Sequence, residues 1–227
     1  FSFDYYKVIV SGEGGFITTD DKRLYTRALN WHDCAACWRP DRFGPEAEGE
    51  ELFCGENYRM SELEGAVALA QIRKAGSMIC GYRNAKKKIK NGIDRFDGLT
   101  FRRLTDEAGD TGICLVMYLP DAELAQKVLP ALQAEGVPAG GVYDSKVRDW
   151  HTYNYWEHIL EKKSVASDNL PWSAVPEDEL PKYSKYMCPR SLELLSKAIL
   201  MDINCNYSDR DCAAIADGVN KVLSAYL

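Results

Sequence analysis

The chain has 227 residues, 46% of them hydrophobic and 27% charged, with a formal net charge of -6. That length allows one large domain or two modest ones with a sizeable core, and the acidic balance argues against a nucleic acid or an anionic membrane surface as partner, since both need a concentrated positive field. No apolar run is long enough to span a bilayer, and the start has no basic segment followed by an apolar one, so nothing reads as a signal peptide.

In chain order, the first stretch is Phe1 to Gly15, which sets Lys7 among Tyr5, Tyr6, Val8, Ile9 and Val10 and then turns on Gly12, Gly14 and Gly15. A lysine against apolar surface loses hydration, which frees its amine to attack a carbonyl. The plainer reading is a lysine whose stem lies on its neighbours while the ammonium reaches water. The glycines predict a tight turn, and Phe16 to Thr19 a short strand. Asp20 and Asp21 suit a helix N-terminus leading into Leu24 to Leu29. From Asn30 to Cys54 the composition predicts an irregular segment, with Glu46, Glu48, Glu50 and Glu51 as a solvated acidic run. His32, Cys34 and Cys37 make a His-x-Cys-x-x-Cys pattern with Cys54 further on, but the second close ligand pair of a structural zinc site is missing, so no metal is expected. The eight cysteines read as mostly free thiols of a reducing cytoplasm, because a disulfide framework belongs to short chains with a poor core.

Ser61 to Glu64 is a capping box that starts a helix at Glu62, with Leu63, Ala66, Val67 and Ala70 as a narrow apolar face suited to close packing. A break near Ala75-Gly76 precedes a second helix running to Phe96, whose Arg83, Lys86, Lys87, Lys88 and Lys90 read as a wet face joining two domains. Beyond Asp97, strands and helices alternate. Leu99 to Arg103, Thr111 to Leu119, Val137 to Tyr143 and Ala198 to Ile203 are strand-like. A helix begins at Pro120-Asp121, passes through Gln133 and stops at Gly136; a second capping box, Ser208 to Asp211, starts a terminal helix to Leu223. Between these lies an aromatic segment, Asp149 to His158, which suits either the apolar face of a sugar ring or a core or interface cluster. Arg59, Arg148 and Arg190 are candidate partners for an acidic substrate, although spacing does not choose among them and each also reads as a surface or structural arginine.

Two ordered blocks carry a resemblance. Ser2-Phe3, three residues, Lys7, four residues and Gly12-Glu13-Gly14-Gly15, followed by Gly55-Glu56-Asn57-Tyr58-Arg59-Met60, resemble the signatures of the DegT/StrS family of pyridoxal-phosphate sugar aminotransferases. The resemblance implies an α/β chain forming the C-terminal part of the aspartate-aminotransferase-like fold: residues 1–75 as the end of the large cofactor domain, 76–96 as a linking helix and 97–227 as the small α+β domain. It implies Lys7 as the lysine that binds the cofactor covalently, Ser2 as a contact to its phosphate, and Asn57 as a residue reaching across a homodimer interface to the partner's phosphate. His32 stands where the family carries a His-Gly pair, but Asp33 replaces the glycine, which weakens any role for it. The segment around His151 is similar to the subgroup that makes 8-amino-3,8-dideoxy-octulosonate, with His151 as a substrate contact. The implied reaction moves an amino group from glutamate or glutamine to a keto- or aldehydo-sugar in a cytoplasmic enzyme, of the kind that supplies cell-surface polysaccharides. The carboxylate for the pyridine nitrogen, the stacking aromatic and the Gly-Thr phosphate contact lie upstream of the lysine in the family, so the chain is expected to be the later part of a longer protein. A sugar dehydratase of the same fold and a non-catalytic module are the alternatives; one sugar 3-dehydratase type carries histidine in place of the lysine, which Lys7 disfavours.

Overall fold

The computed structural model describes residues 1–35, 53–143 and 148–227. Cys37 and the acidic run Glu46 to Glu51 therefore lie outside the described residues. The chain divides into two compact units, Phe1–Ser77 and Met78–Leu227, so the cut falls inside a helix.

The first unit begins with an irregular arm folded back on itself. Phe3 N donates to Gly14 O at 2.8 Å, Ser11 N to Phe3 O at 3.0 Å, and Phe16 N to Phe1 O at 3.0 Å. Gly12 and Gly14 take φ of 99° and 108°, where a side chain is strained, and a Cβ on Gly15 would sit 2.3 Å from Phe1 O. The expected strand at Phe16 to Thr19 does not form: the pairing in the arm is confined to two isolated bridges, Ser2 with Gly15 and Asp4 with Gly12. An arm this short, kinked by its glycines, offers no ladder for a strand to join. Helix α1 spans Lys22–His32, longer than Leu24 to Leu29 and reaching into the stretch expected to be irregular. Its start follows from Asp21, whose carboxylate accepts from Arg23 N and Leu24 N, and its extension from the burial of Thr26 and Asn30. Helix α2, Glu62–Ile72, begins at the capping box read from the sequence. Ser61 Oγ accepts from Glu64 N, and the Glu64 carboxylate accepts from Ser61 N, which holds that carboxyl below its ordinary range. Its apolar face behaves differently from expectation. Only Ala68 is buried, while Leu63 and Val67 are exposed.

Helix α3, Ala75–Gly92, crosses into the second unit, which is built on a four-stranded antiparallel sheet: β1 Thr100–Phe101, β2 Cys114–Tyr118, β3 Ala139–Gly141 and β4 Ala198–Asp202, in the order β1-β2-β4-β3. Register pairs Val116 with Leu200 and Gly140 with Leu200, so β4 is flanked on both sides. Each strand is shorter than its apolar run, because only the paired residues form a ladder. Helix α4, Ala122–Ala134, is capped by Asp121 and ends at Glu135, with Gly136 at φ 78°. The short α5, Glu157–Leu160, and then α6, Pro189–Ser196, precede the last strand. Helix α7, Asp209–Tyr226, opens on the second capping box, where Ser208 Oγ accepts from Asp211 N. Ile89, Met117, Val128, Leu132, Ile199, Met201, Val219 and Leu223 are almost wholly buried together, which makes this unit's core continuous from sheet to helices.

Tertiary contacts correct the reading of α3 in two respects. It stops at Gly92 rather than Phe96, because Asn220 on α7 donates to Gly92 O at 2.8 Å and accepts from Asp94 N at 2.8 Å. Of its basic residues Arg83, Lys87, Lys88 and Lys90 are exposed, as a wet face requires, while Lys86 is not. Lys86 is buried against Asp110 at 2.7 Å, Arg83 donates to the Ala108 and Asp110 carbonyls at 2.6 Å, Lys88 pairs with Asp209, and Lys90 lies 5.2 Å from the centre of the Phe101 ring. These contacts lash α3 to the loop before β2 and to α7.

Candidate active site

Lys7 sits on a turn organised by Asp4. Lys7 N donates to Asp4 O at 3.0 Å, Tyr6 N donates to Asp4 Oδ1 at 2.9 Å, and Asp4 N donates to Ser2 Oγ at 3.3 Å. An aspartate that caps the backbone two residues on is an Asx-turn, and here it fixes the segment from Ser2 to Lys7. Of the two readings of Lys7, the described structure shows the plainer one, with the ammonium reaching water. Its side chain is 50% exposed, Tyr5 and Tyr6 point to solvent, and its ammonium lies 3.8 Å from Asp4 Oδ2. The reason is local: a tight turn fans neighbouring side chains outward, so aromatics adjacent in sequence do not cover the lysine. Sequence reasoning passed over Asp4, although an Asp two residues before a turn amide is a readable signal.

The block Gly55 to Met60 is explained residue by residue. A Cβ on Gly55 would come within 2.1 Å of Asn30 O, so glycine is what lets this strand-like segment approach the end of α1. Cys34 N donates to Glu56 O at 3.0 Å and Tyr58 N to His32 O at 2.9 Å, bridging Asp33 and Asn57. Arg59 pairs with the fully buried carboxylate of Asp33, and that hydrogen bond raises the guanidinium further above its ordinary range. Met60 packs on Gly14, where a Cβ would lie 2.6 Å from its Cε and so tie the block to the lysine arm. The Asn57 side chain packs on nothing buried. It is exposed, and its Oδ1 accepts from Arg59 N at 3.2 Å, which turns the amide nitrogen away from the backbone.

His32 lines an apolar cleft of about 780 Å³ in the first unit, together with Phe16, Tyr25, Trp31 and Tyr58. Lys7, Ser2 and Asn57 are not among its walls. The cleft gives aromatic faces beside one imidazole. Cys34 Sγ lies 3.6 Å from Glu56 O, and among the described residues no cluster of histidine, cysteine and carboxylates suits a metal.

In the second unit, His151 is 97% exposed, with Nδ1 2.9 Å from Asp149 Oδ1. The same oxygen accepts from His151 N at 2.8 Å; that bond, with the ring contact, holds the Asp149 carboxyl below its ordinary range against some burial. With Asp149 ionised, Nδ1 donates and Nε2 is left as the outward nitrogen. The aromatic segment around it is pinned by hydrogen bonds: Trp156 Nε1 donates to Trp150 O at 2.7 Å, Tyr153 Oη donates to Lys185 O at 2.9 Å and accepts from Cys188 N at 3.0 Å. Arg148 pairs with Glu157 at 2.7 Å and stacks 4.6 Å from the Trp150 ring, so it is already engaged, as Arg59 is; Arg190 is exposed in the first turn of α6. The structure thus brings Ser2 and Lys7 onto one turn and links the Asn57 block to the same arm. It places His32 and His151 in different units.

Solved structures define the fold. An aminotransferase from Psychrobacter cryohalolentis matches 99% of this chain and 55% of its own, with a TM-score of 0.71 at 17% identity. A GDP-4-keto-6-deoxymannose-3-dehydratase matches 96% of this chain and 53% of its own, with a TM-score of 0.67 at 16% identity. The architecture is that of the C-terminal part of the fold these aminotransferases share. The chain belongs to the DegT/DnrJ/EryC1/StrS aminotransferase family, whose pattern matches residues 1–177. Among its relatives, a Streptoalloteichus tenebrarius protein carrying the name L-glutamine:3-amino-2,3-dideoxy-scyllo-inosose aminotransferase is 27% identical over 63% of this chain and 34% of its own length. GDP-perosamine synthase of Escherichia coli O157:H7 is 31% identical over 41% of this chain and 24% of its own. The chain therefore spans about half the length of the solved proteins it resembles, and its aligned part about a third or less of these curated relatives.

Proposed function

We propose that this chain is the C-terminal part of a pyridoxal-phosphate-dependent sugar aminotransferase in which Lys7 binds the cofactor covalently. The observation that carries the reading is the Lys7 turn: a solvent-reachable amine on a backbone fixed by Asp4 and by Gly14 and Gly15, inside the segment matched to the family. The residues present fit the cofactor's needs. Its aldehyde asks for a primary amine, which Lys7 Nζ offers. Its phosphate asks for donors: Ser2 Oγ, which accepts from Asp4 N and keeps its own hydrogen to give, and Asn57 Nδ2, turned outward because Oδ1 is engaged.

When bound, pyridoxal phosphate supplies the electron sink that makes an amino donor's α-hydrogen removable. Lys7 would anchor it and, with its amine free, would accept and return a proton at Nζ. Asn57 serves the partner's site in a homodimer, a role supported by its exposure and by the exposed apolar face of α2 that follows it. On this reading residues 1–75 close the large domain, 76–96 link and 97–227 form the small domain. His32, between aromatic walls, and His151, with Nε2 outward, are the substrate contacts. The acceptor is a keto- or aldehydo-sugar of nucleotide or octulosonate type, the donor glutamate or glutamine, and the setting is cytoplasmic sugar biosynthesis, such as that serving cell-surface polysaccharides.

The test uses the full-length protein. Incubation with pyridoxal phosphate, borohydride reduction and peptide mapping should place one label on Lys7; Lys7→Ala should lose it and lower transamination at least about a hundredfold. An unlabelled Lys7 overturns the reading in favour of a non-catalytic module. Formation of 2-oxoglutarate from glutamate, coupled to amination of the sugar, separates this activity from that of a dehydratase.

A further inference from the structure

We infer that Asp4 is a positioning residue for Lys7, holding its amine at one end of the turn through a charge contact distinct from the carboxylate's structural role. The inference rests on the reading of Lys7 as the cofactor lysine, and it assigns a function to a residue outside the Ser2, Lys7 and Asn57 set.

Every polar group of Asp4 is directed at the segment it stands in. Its amide donates to Ser2 Oγ, its carbonyl accepts from Lys7 N, its Oδ1 accepts from Tyr6 N, and its Oδ2 lies 3.8 Å from Lys7 Nζ. The two carboxylate oxygens are therefore divided between two tasks. Oδ1 shapes the turn, and because that bond fixes the carboxylate plane, Oδ2 is left facing the lysine. A free lysine side chain carries four rotatable bonds and ranges widely. Among the described residues its charge contact is with Asp4, three residues earlier. Ser2, whose Oγ accepts from the Asp4 amide, is held by the same residue, so Asp4 sets the mutual placement of the amine and the hydroxyl proposed to meet two ends of one cofactor. At 3.8 Å and with side chains 50% and 36% exposed, the contact is screened by solvent and modest, which suits a hold that must release the amine to bond.

Asp4→Asn separates the two tasks, since the amide oxygen still caps Tyr6 N while the charge facing Lys7 is gone. Competitive acylation of the full-length protein freed of cofactor, with trace acetic anhydride, read by peptide mass spectrometry and normalised to exposed Lys22 and Lys87, reports the freedom of the Lys7 amine. Asp4→Asn should raise Lys7 acylation about two- to fivefold at low ionic strength, and the difference from wild type should collapse in 1 M salt, as an exposed charge pair requires. Equal acylation of the two proteins, or a difference indifferent to salt, overturns the inference and leaves Asp4 with the turn alone. Borohydride labelling of wild-type Lys7 is scored separately. Its failure removes the cofactor assignment, while an unchanged acylation ratio removes the role of Asp4.

Discussion

The two units of this chain bury their apolar residues in opposite ways. In the second, the sheet and helices α3, α4 and α7 enclose a continuous core, and Leu132, Met201, Val219 and Leu223 have no solvent exposure. In the first, Phe3 and Ala68 are the buried hydrophobics among the described residues, while Phe1, Tyr6, Ile17 and Leu63 are each more than three-quarters exposed. What the first unit does bury is polar: Thr26, Asn30 and Asp33. One unit is held by apolar packing, the other by glycine-allowed close approaches and a buried carboxylate paired with Arg59. Apolar burial of that extent is the dominant stabilising term in a domain, so the second unit carries the means to fold by itself. The first leaves much of the apolar surface of its described residues exposed.

The largest test of that contrast is a pair of leucines. Leu132→Ala removes a side chain with no exposure from the second unit's core and should cost about 2–5 kcal/mol, seen as a lower midpoint in urea unfolding of residues 75–227. Leu63→Ala, at a position 78% exposed, should change the stability of the isolated chain by less than about 0.5 kcal/mol. Equal losses at both positions would break the comparison.

A smaller effect sharpens the account of the first unit. Gly55→Ala places a methyl 2.1 Å from Asn30 O and should cost about 1–3 kcal/mol, because the obstacle is backbone and cannot rotate away. Amide exchange should quicken first at Glu56 and Tyr58, whose N–H groups bond to the carbonyls of Trp31 and His32.

The smallest effect concerns acid. Burial opposes ionisation of Asp110, but the hydrogen bond and charge of Lys86 outweigh it and hold the carboxyl below its ordinary value of 3.8. A carboxyl whose folded value lies below its unfolded one stabilises the fold fully above the unfolded value and loses that contribution as pH falls through the folded one. The second unit should therefore lose this increment below about pH 4. Asp110→Asn, which leaves Lys86 buried without its counter-charge, should be less stable than wild type at pH 7 and converge with it near pH 2. Circular dichroism melts across that range check both ends.

Capping boxes at Ser61 and Ser208, the stop at Gly136 and the glycine turn before Phe16 were legible in the sequence, because each depends on side chains within a few residues of the backbone they serve. Both family blocks were legible for the same reason. The length of α3, the work of its lysines, the empty ladder beside Phe16 and the exposure of α2 were not. Each is set by a partner distant in the chain, such as Asn220 for Gly92 or Asp110 for Lys86, or by the lack of one among the described residues. At the candidate site, the sequence by itself determined that Ser2, Lys7 and Asn57 stand in two ordered blocks. Only the tertiary structure decided that Lys7 lies open beside Asp4, that Arg59 is committed to Asp33, and that His32 and His151 belong to separate units. A side chain's exposure and pairing are properties of the space around it, and residues far apart in the chain fill that space.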